Sequence, residues 1–238
     1  MTNHEFVQKL KDIATNYKTL YVMGSFGSPM TNERKQYMIN HHNYNADPTR
    51  TKMINSASTD TFGFDCVCLI KGVLWGWNGN KNDVHGGAKY ASNGVPDVSA
   101  DGMIAKCTNL STNFNNIEVG EAVWCKGHIG VYIGDGLAVE CTPSWKNCVQ
   151  ITACNRNVSG YNRRNWTKHG KLPYITYKKE KKKMLESGND IVWELMNGKH
   201  KIKITEVDRA VKALDKAKNN SEFNSLYWIL HKLVNGNG

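Results

Sequence analysis

The sequence contains no long hydrophobic run. No stretch reaches about 18 consecutive apolar residues, the length that a helix needs to cross a bilayer, so we expect no membrane span. Residues 1–17, MTNHEFVQKLKDIATNY, form an amphipathic pattern with charges throughout and lack the apolar core of a secretory signal. We therefore expect synthesis in a cytoplasm without a signal peptide, so that a target outside that compartment is reached by another route.

The cysteines fit neither a disulfide framework nor a metal site. Their number is odd, seven in 238 residues, whereas disulfide-stapled domains pair their cysteines in an oxidising compartment. The sequence also lacks a C-x-x-C pair and a closely spaced histidine pair of the zinc-finger type. We therefore predict no metal and no cofactor, and mostly reduced thiols at Cys66, Cys68, Cys107, Cys125, Cys141, Cys148 and Cys154.

Acidic residues are too few to balance the basic ones, and the formal net charge is +10 at pH 7. Residues 171–238 hold fourteen Lys and Arg against eight Asp and Glu, so most of the surplus lies there. A basic protein is attracted to nucleic acid or to another anionic polymer. Because the sequence shows no helix-turn-helix, RRM or zinc-finger pattern, we predict no nucleic-acid partner.

A run of like charges divides the chain. Residues 178–183 read KKEKKK, and like charges repel one another and remain solvated, which is typical of a linker. We predict a first domain over residues 1–177, a basic linker over 178–184 and a small module over 185–238. Apolar residues recur at helical spacing in three segments of that module, at about Asn189–Met196, Thr205–Lys218 and Ser221–Val234.

The first domain changes its hydrophobic period along the chain. Helical spacing occurs over Asn3–Tyr17, from Asp65 to Trp77 and over Ser99–Cys107. Helices followed by an antiparallel meander predict an α+β domain. The period becomes two after Glu118, which predicts strands over residues 121–125, 128–134, 137–142, 149–153 and 172–177.

Cys66 is the best candidate nucleophile. It follows Asp65, a favourable N-cap residue, and opens a predicted helix. The partial positive charge at a helix N-terminus favours the thiolate over the thiol. Cys68, two residues further along, is predicted to be a buried structural cysteine on the same helix.

His128 and Glu140 are predicted to complete a catalytic group around Cys66. His128 opens the strand HIGVYIG, and the nearby glycines leave space around its ring. Suppose that the hairpin loop has three residues, 134–136. Glu140 then lies opposite Gly130 and diagonal to His128 on one sheet face, about 7–8 Å away between Cα atoms. A carboxylate there can accept the imidazole N–H and fix its tautomer, whereas a two-residue loop would place Glu140 on the opposite face.

These residues lie in strings that resemble the NlpC-type peptidases, which are papain-like cysteine hydrolases of bacterial cell walls. FDCVCLI (64–70) is similar to the family's D-C-[ST]-G-L helix motif, and GHIGVYIG (127–134) to its G-H-[VI]-G-[IV]-Y-[IV]-G strand motif. Glu140 stands where the family carries a polar third residue. The resemblance spans about residues 5–177 and implies a papain-like domain, with helices packed on an antiparallel sheet, the cysteine as nucleophile and the histidine as base.

The resemblance also implies residues that contact the substrate. TLYVMGSFG (19–27) is similar to the family's Y-x-W-G-G segment, which implies that Tyr21 donates to the oxyanion or to the substrate. Asp65 of the D-C pair is assigned to the same oxyanion and substrate-binding set. Trp145, in the loop after Glu140, is predicted to be a rim residue of the substrate groove.

Two features depart from the family. Val67 and Cys68 replace the small polar residue and the glycine that usually follow the nucleophile, and in some relatives the first of these positions helps to hold a free peptide amine. A longer segment than usual also precedes Asp65. We expect this segment to form a loop beside the substrate groove, with His41 and His42 as surface residues.

The resemblance implies a peptidoglycan hydrolase, and the basic tail then suits anionic wall polymers. Without a secretory signal, such an enzyme fits a phage endolysin released by a holin, or a lysin of a mobile element. The bond is either the D-γ-glutamyl link to the diamino acid or the N-acetylmuramoyl–L-alanine amide. Two other classes stay open: a non-catalytic wall-binding protein on the same scaffold, and an amidase or acyltransferase with an intracellular substrate. The oligomeric state stays open as well.

Overall fold

The computed structural model describes residues 1–178. The predicted module over 185–238, and the predicted linker beyond its first residue, lie outside the described residues. Within residues 1–178 the six α-helices are α1 (Asn3–Asn16), α2 (Asn32–His41), α3 (Asn43–Ala46), α4 (Pro48–Ser56), α5 (Cys66–Leu74) and α6 (Ala100–Lys106). The strands of the same part are β1 (Thr19–Tyr21), β2 (Phe26–Pro29), β3 (Phe62–Phe64), β4 (Thr108–Ser111), β5 (Ala122–Cys125), β6 (His128–Gly134), β7 (Leu137–Thr142), β8 (Cys148–Cys154), β9 (Arg163–Arg164) and β10 (Lys168–Lys171). None of these helices is both long and apolar enough to span a membrane.

Seven strands form the main sheet, in the order β4-β10-β5-β6-β7-β8-β9. Strands β5 to β8 form an antiparallel meander, as the alternation of apolar and polar residues predicts. Strand β9 extends this edge by pairing in parallel with β8. A second sheet has the order β1-β3-β2, with β1 parallel to β3. The domain is therefore mixed α+β, as predicted.

The first helix is held by its cap and by its apolar face. The Thr2 hydroxyl accepts the N–H of Glu5, and the Glu5 carboxylate accepts the N–H of Thr2 in return, which forms a capping box. Phe6, Leu10 and Ile13 recur with the helical period and are buried. This face packs against strands β6, β7 and β8, so α1 covers the sheet on which the predicted base and its partner lie.

Helix α5 is enclosed along its whole length. Each of its residues is buried, and the helix packs against α1, β2, β6 and β7. Gly72 permits a close approach to β2, because a Cβ at this position would lie 2.5 Å from the carbonyl oxygen of Phe26. Since protein interiors are packed as densely as organic crystals, this environment leaves the first residue of the helix, Cys66, little freedom to move.

The segment between β2 and β3 is helical, so the prediction that it forms a loop is wrong. It contains α2, α3 and α4, because capping residues begin two of these helices: Thr31 caps α2, and Asp47 caps α4. Asn45 is buried and links this helical segment to the backbone of neighbouring elements through hydrogen bonds. Its Oδ1 accepts the N–H of Met23, while its Nδ2 donates to the carbonyls of Met23 and Met38.

The β6–β7 hairpin closes by a different route from the expected three-residue loop. The turn has two residues, 135–136, with φ of 54° and 72°, as a type I′ turn requires. A register shift at the end of β6, of the kind that a β-bulge produces, compensates for the shorter loop. Val131 consequently pairs with Val139, so Glu140 stays on the sheet face that carries His128. The loop length was wrong, and the face was right.

Residues 172–177 do not form a strand, contrary to the prediction. Strand β10 ends at Lys171. Pro173 has no N–H and cannot donate to a strand ladder, and the N–H of Leu172 donates to the Tyr177 hydroxyl instead. The predicted strand over 149–153 lies inside β8.

We predict that Asn45→Ala lowers the free energy of unfolding by about 2–3 kcal/mol, because it leaves one N–H and two carbonyls without their partner. Asn43→Ala is the matched control, since Asn43 lies in the same helix but is exposed, and we expect a change within about 0.5 kcal/mol. Urea unfolding followed by circular dichroism measures both. Equal and small losses would show that Asn45 does not anchor the helical segment.

Candidate active site

Cys66 is the first residue of α5, and Asp65 is the N-cap of that helix, as predicted. The two carboxylate oxygens of Asp65 have different partners. Oδ1 accepts the N–H of Cys68 at 2.7 Å, and Oδ2 accepts the N–H of Gly24 at 2.8 Å. Asp65 therefore fixes the start of the helix and joins it to the β1–β2 connection, while its role in substrate binding stays a prediction.

The Cys66 thiol is largely buried, which its position at a helix N-terminus does not by itself predict. Its residue is 8% exposed. Burial, with the neighbouring Asp65 carboxylate, raises the pKa of the Cys66 thiol to about 12, although backbone N–H groups of Ile129, Val67 and Cys66 itself favour the thiolate. The expectation of a thiolate favoured at the helix start does not hold for the resting state, because burial raises the pKa by more than the nearby backbone N–H groups lower it.

His128 lies directly before the residue whose N–H faces the Cys66 sulfur. Its Nε2 is 2.7 Å from Oε2 of Glu140. Its ring is stacked on Trp166, with the ring centroids 5.4 Å apart and the planes within 9°. Because an ionised carboxylate only accepts hydrogen bonds, Nε2 carries the proton. The other ring nitrogen, Nδ1, makes no hydrogen bond within the described residues.

Glu140 is a carboxylate with no exposed surface. Besides His128, its Oε2 lies 2.6 Å from Nε of Arg164, and its Oε1 accepts the Thr152 hydroxyl at 2.7 Å. Burial alone raises the pKa of the Glu140 carboxyl, but the hydrogen bond from His128 and the ion pair with Arg164 outweigh it and hold the pKa below its usual value. The carboxylate that fixes the imidazole is therefore ionised at neutral pH.

An open cavity of about 530 Å³ lies over the start of α5. Cys66 and Tyr21 both line it, together with Lys71 and Asp97, which form an ion pair in its wall. Tyr21 is buried, and burial followed by the neighbouring Cys66 and Asp65 raises the pKa of its phenol above its usual value. Its hydroxyl therefore stays protonated at neutral pH, as a hydrogen-bond donor must.

His42 lines the same cavity, so it is not the plain surface residue that we expected. It is half-buried, and its ring covers Gly24, where a Cβ would lie 2.2 Å from Nε2. The sequence distance between these residues and Cys66 hides this proximity, which arises because the α2–α3 connection folds back over the β1–β2 connection.

Trp145 lies apart from the residues that line the cavity. Its side chain is 47% exposed, and its ring lies 4.8 Å from the guanidinium carbon of Arg164. Its role at the rim of a substrate groove stays a prediction.

Three side chains at the site were not found from the sequence: Thr152, Arg164 and Trp166. Thr152 lies on β8, which pairs with β7, the strand that carries Glu140. Extending the predicted strand register from β7 to β8 could therefore have identified Thr152. Arg164 and Trp166 follow a loop of irregular structure, and no pattern in the sequence signals their position.

Metal ligands do not cluster in the part of the chain that is described. Across residues 1–178, no three or more His, Cys, Asp or Glu side chains are grouped so that they could hold a metal ion.

Comparisons with known proteins give a distant likeness. Neither a protein-family model nor a curated protein sequence matches the chain. Two solved structures, NlpC2 and NlpC1 from Trichomonas vaginalis, are each 14% identical to it, with a TM-score of 0.36 over 71% of this chain. The match covers 46% and 44% of those chains, so this protein spans less than half of their length. A likeness at this distance carries no conclusion about activity.

We predict that Glu140→Gln lowers the free energy of unfolding by about 3 kcal/mol at neutral pH, because it leaves the Arg164 charge without its counter-ion. The pKa of Glu140 is lowered by folding. Its stabilisation is therefore complete above the pKa of the unfolded chain and is lost as the pH falls through the folded pKa. The difference between wild type and variant should narrow in acid, which urea unfolding at neutral and acidic pH measures.

The control for this experiment is Glu118→Gln. Glu118 forms an ion pair with Lys171 at 2.7 Å, but its side chain is 43% exposed. Exposed pairs contribute about 0–1 kcal/mol. A constant difference between wild type and Glu140→Gln over the whole acid range would contradict an ionised Glu140.

Proposed function

We propose that this chain is a cysteine hydrolase that cleaves an amide bond of peptidoglycan. The observation that carries the proposal is the alignment of Cys66, His128 and Glu140. A buried carboxylate holds one nitrogen of the imidazole, and the backbone N–H of Ile129, the residue after His128, faces the Cys66 sulfur at the start of α5. This arrangement supports Cys66 as nucleophile, His128 as its base and Glu140 as the group that orients the base.

The proposed reaction begins with proton transfer from Cys66 to Nδ1 of His128. The sulfur attacks the amide carbon at the same time, and the carbonyl electron pair moves onto oxygen. When this tetrahedral species collapses, the amine leaves with the proton from His128, and an acyl thioester remains. A water molecule then attacks the thioester carbon as His128 takes one of its protons. The C–S bond breaks to release the acid, and His128 returns the proton to the departing Cys66 sulfur. Because the resting pKa of the thiol is high, proton transfer and attack are coupled.

Hydrogen-bond donors near the sulfur would stabilise the oxyanion. The first N–H groups of a helix have no partner within it, and Asp65 takes the N–H of Cys68. The N–H groups of Cys66 and Val67 therefore remain at the start of α5, next to the cavity. The Tyr21 hydroxyl is a further candidate donor.

Peptidoglycan is proposed as the substrate from the motifs around Cys66 and His128, which resemble those of the NlpC-type wall peptidases. The cavity of about 530 Å³ is open and lined by both apolar and polar side chains, which suits a short peptide. We propose the D-γ-glutamyl link to the diamino acid as the bond, with the N-acetylmuramoyl–L-alanine amide as the alternative. The charge of +10 supports contact with anionic wall polymers, and the biological role that we propose is a phage endolysin released by a holin.

A non-catalytic wall-binding protein on the same scaffold is the second candidate. One observation favours it: the Cys66 residue is only 8% exposed, and burial raises the pKa of its thiol. A thiol without catalytic use would tolerate the same environment. The two candidates differ in whether covalent products appear when the protein meets its polymer.

We predict that the full chain releases new amino groups from isolated Gram-positive sacculi and that Cys66→Ala does not. Mass spectrometry of the products identifies the bond, because the new N-terminus or the freed carboxyl marks D-glutamate or L-alanine. His128→Ala should reduce the rate by about 10²–10⁴-fold, as expected for a general base. Wild-type protein that binds the sacculi without releasing products would refute the enzyme and support the binding protein.

Cys68→Ser is the matched control, since Cys68 lies in the same helix and is also buried. We expect it to keep most of the activity, because its backbone N–H, which caps the helix through Asp65, is unchanged. If Cys68→Ser were as inactive as Cys66→Ala while its fold stayed intact, the nucleophile would be misassigned.

Residues 185–238 are proposed to be a small wall-binding module. By the effective-concentration argument, the fragment 1–178 should cut a soluble muropeptide as fast as the full chain but whole walls at least about tenfold more slowly. Turnover of the two substrates by the two proteins measures this. Equal rates on walls would show that the tail does not deliver the enzyme to its substrate.

A further inference from the structure

Arg164 occupies an unusual place beside the proposed catalytic group. Its Nε lies 2.6 Å from the same oxygen, Oε2 of Glu140, that accepts the His128 ring. Its Nη2 donates to the Thr142 hydroxyl at 3.0 Å. The Arg164 side chain is 19% exposed, whereas Glu140 is fully buried. The guanidinium therefore places a permanent charge next to the buried carboxylate of the His128–Glu140 pair.

Two tryptophans enclose this guanidinium. Its central carbon lies 4.8 Å from the ring of Trp145 and 5.6 Å from the ring of Trp166. Trp166 is also the residue on which His128 is stacked. The two rings cover part of the guanidinium, and charges in a drier environment interact more strongly.

A buried carboxylate with a neutral imidazole as its only partner has two ways to relieve its charge. It can bind a proton itself, or it can draw a proton onto the imidazole. Either outcome would spoil a general base, because His128 has to be neutral to accept the Cys66 proton and Glu140 has to be ionised to orient it. A guanidinium resolves this conflict, since it stays charged at every relevant pH.

We propose that Arg164 is a positioning residue that supplies the counter-charge of Glu140, so that His128 is both oriented and free to accept the proton of Cys66, with Trp145 shielding the ion pair from water. The inference rests on the proposed function, because it assigns His128 as the base. Arg164 needs no contact with substrate to act in this way.

No other charged group of the described residues competes for this role among those that interact with Glu140. His128 approaches from β6 and Arg164 from β9, while Thr152 on β8 is uncharged. The remaining titratable neighbours are thiols, which burial keeps protonated by raising their pKa values: Cys125, Cys141 and Cys154. The counter-charge of Glu140 therefore depends on Arg164.

The test is the pH dependence of Cys66 alkylation by iodoacetamide in the full chain, followed by mass spectrometry in a Cys68→Ser background so that the labelled peptide reports Cys66. Arg164→Gln removes a positive charge from the group, which makes every deprotonation in it less favourable. The acid limb of the profile, where the alkylation rate rises with pH, should therefore move to higher pH by about 1 unit or more. Arg164→Lys keeps the charge, so its limb should stay close to that of the wild type.

Arg163→Gln is the matched control, because Arg163 is the exposed neighbour on the same strand and its loss changes the net charge equally. Its acid limb should not move. A limb that stays in place in a folded Arg164→Gln protein would overturn the proposal, and so would an equal shift in Arg163→Gln.

Trp145→Ala keeps the proposal testable if Arg164→Gln does not fold, since Trp145 is exposed. Water would reach the ion pair, and the limb should move part of the way in the same direction; an unchanged limb counts against the proposal. The alkylation measurement does not involve peptidoglycan, so it is independent of the test of the proposed function. If the acid limb shifts in Arg164→Gln but the wild type releases no wall products, the proposed function is refuted and the role of Arg164 stands. If the wild type releases products but the acid limb does not shift, the proposed function stands and the role of Arg164 is refuted.

Discussion

The buried carboxylate of Glu140 is the constraint on which the rest of the site depends. A charge with no exposed surface is tolerated only when partners surround it. Strand β7 carries Glu140, and three neighbouring strands of the main sheet each supply one partner of its carboxylate. His128 lies on β6, Thr152 on β8 and Arg164 on β9. The order of these strands thus has a chemical meaning, because it places an imidazole, a carboxylate, a hydroxyl and a guanidinium side by side.

The helix that carries the nucleophile approaches this sheet as a separate, rigid unit. Helix α5 is buried on every side, and Asp65 both caps it and holds Gly24 at the cavity wall. The same enclosure that positions Cys66 also raises the pKa of its thiol. Precise placement and easy ionisation therefore oppose each other here. The proposed mechanism reconciles them by transferring the proton to His128 during the attack instead of before it.

The segment that contains α2 to α4 reaches the cavity through one side chain, His42. Arg50 of α4 is buried and donates to the carbonyl of Tyr21 and, at 2.5 Å, to Oδ1 of Asn147. Its guanidinium also lies 5.5 Å from the Tyr21 ring. Together with Asn45, Arg50 connects the helical segment to the residues beside Cys66, and His42 reaches the cavity from the same segment.

Local sequence was sufficient for the elements whose physics is local. The cap at Asp65, the helix that Cys66 opens and the period-two strands of the meander follow from neighbouring residues. The face of Glu140 does not, because it depends on a two-residue turn combined with a register shift at the end of β6 that the sequence did not reveal. The tertiary structure alone decided the rest, because burial and charge pairing depend on residues far apart in the chain. Only packing reveals that burial outweighs the nearby backbone N–H groups at Cys66, that His42 turns into the cavity, and that Arg164, from a strand of two residues, meets the carboxylate that orients the proposed base.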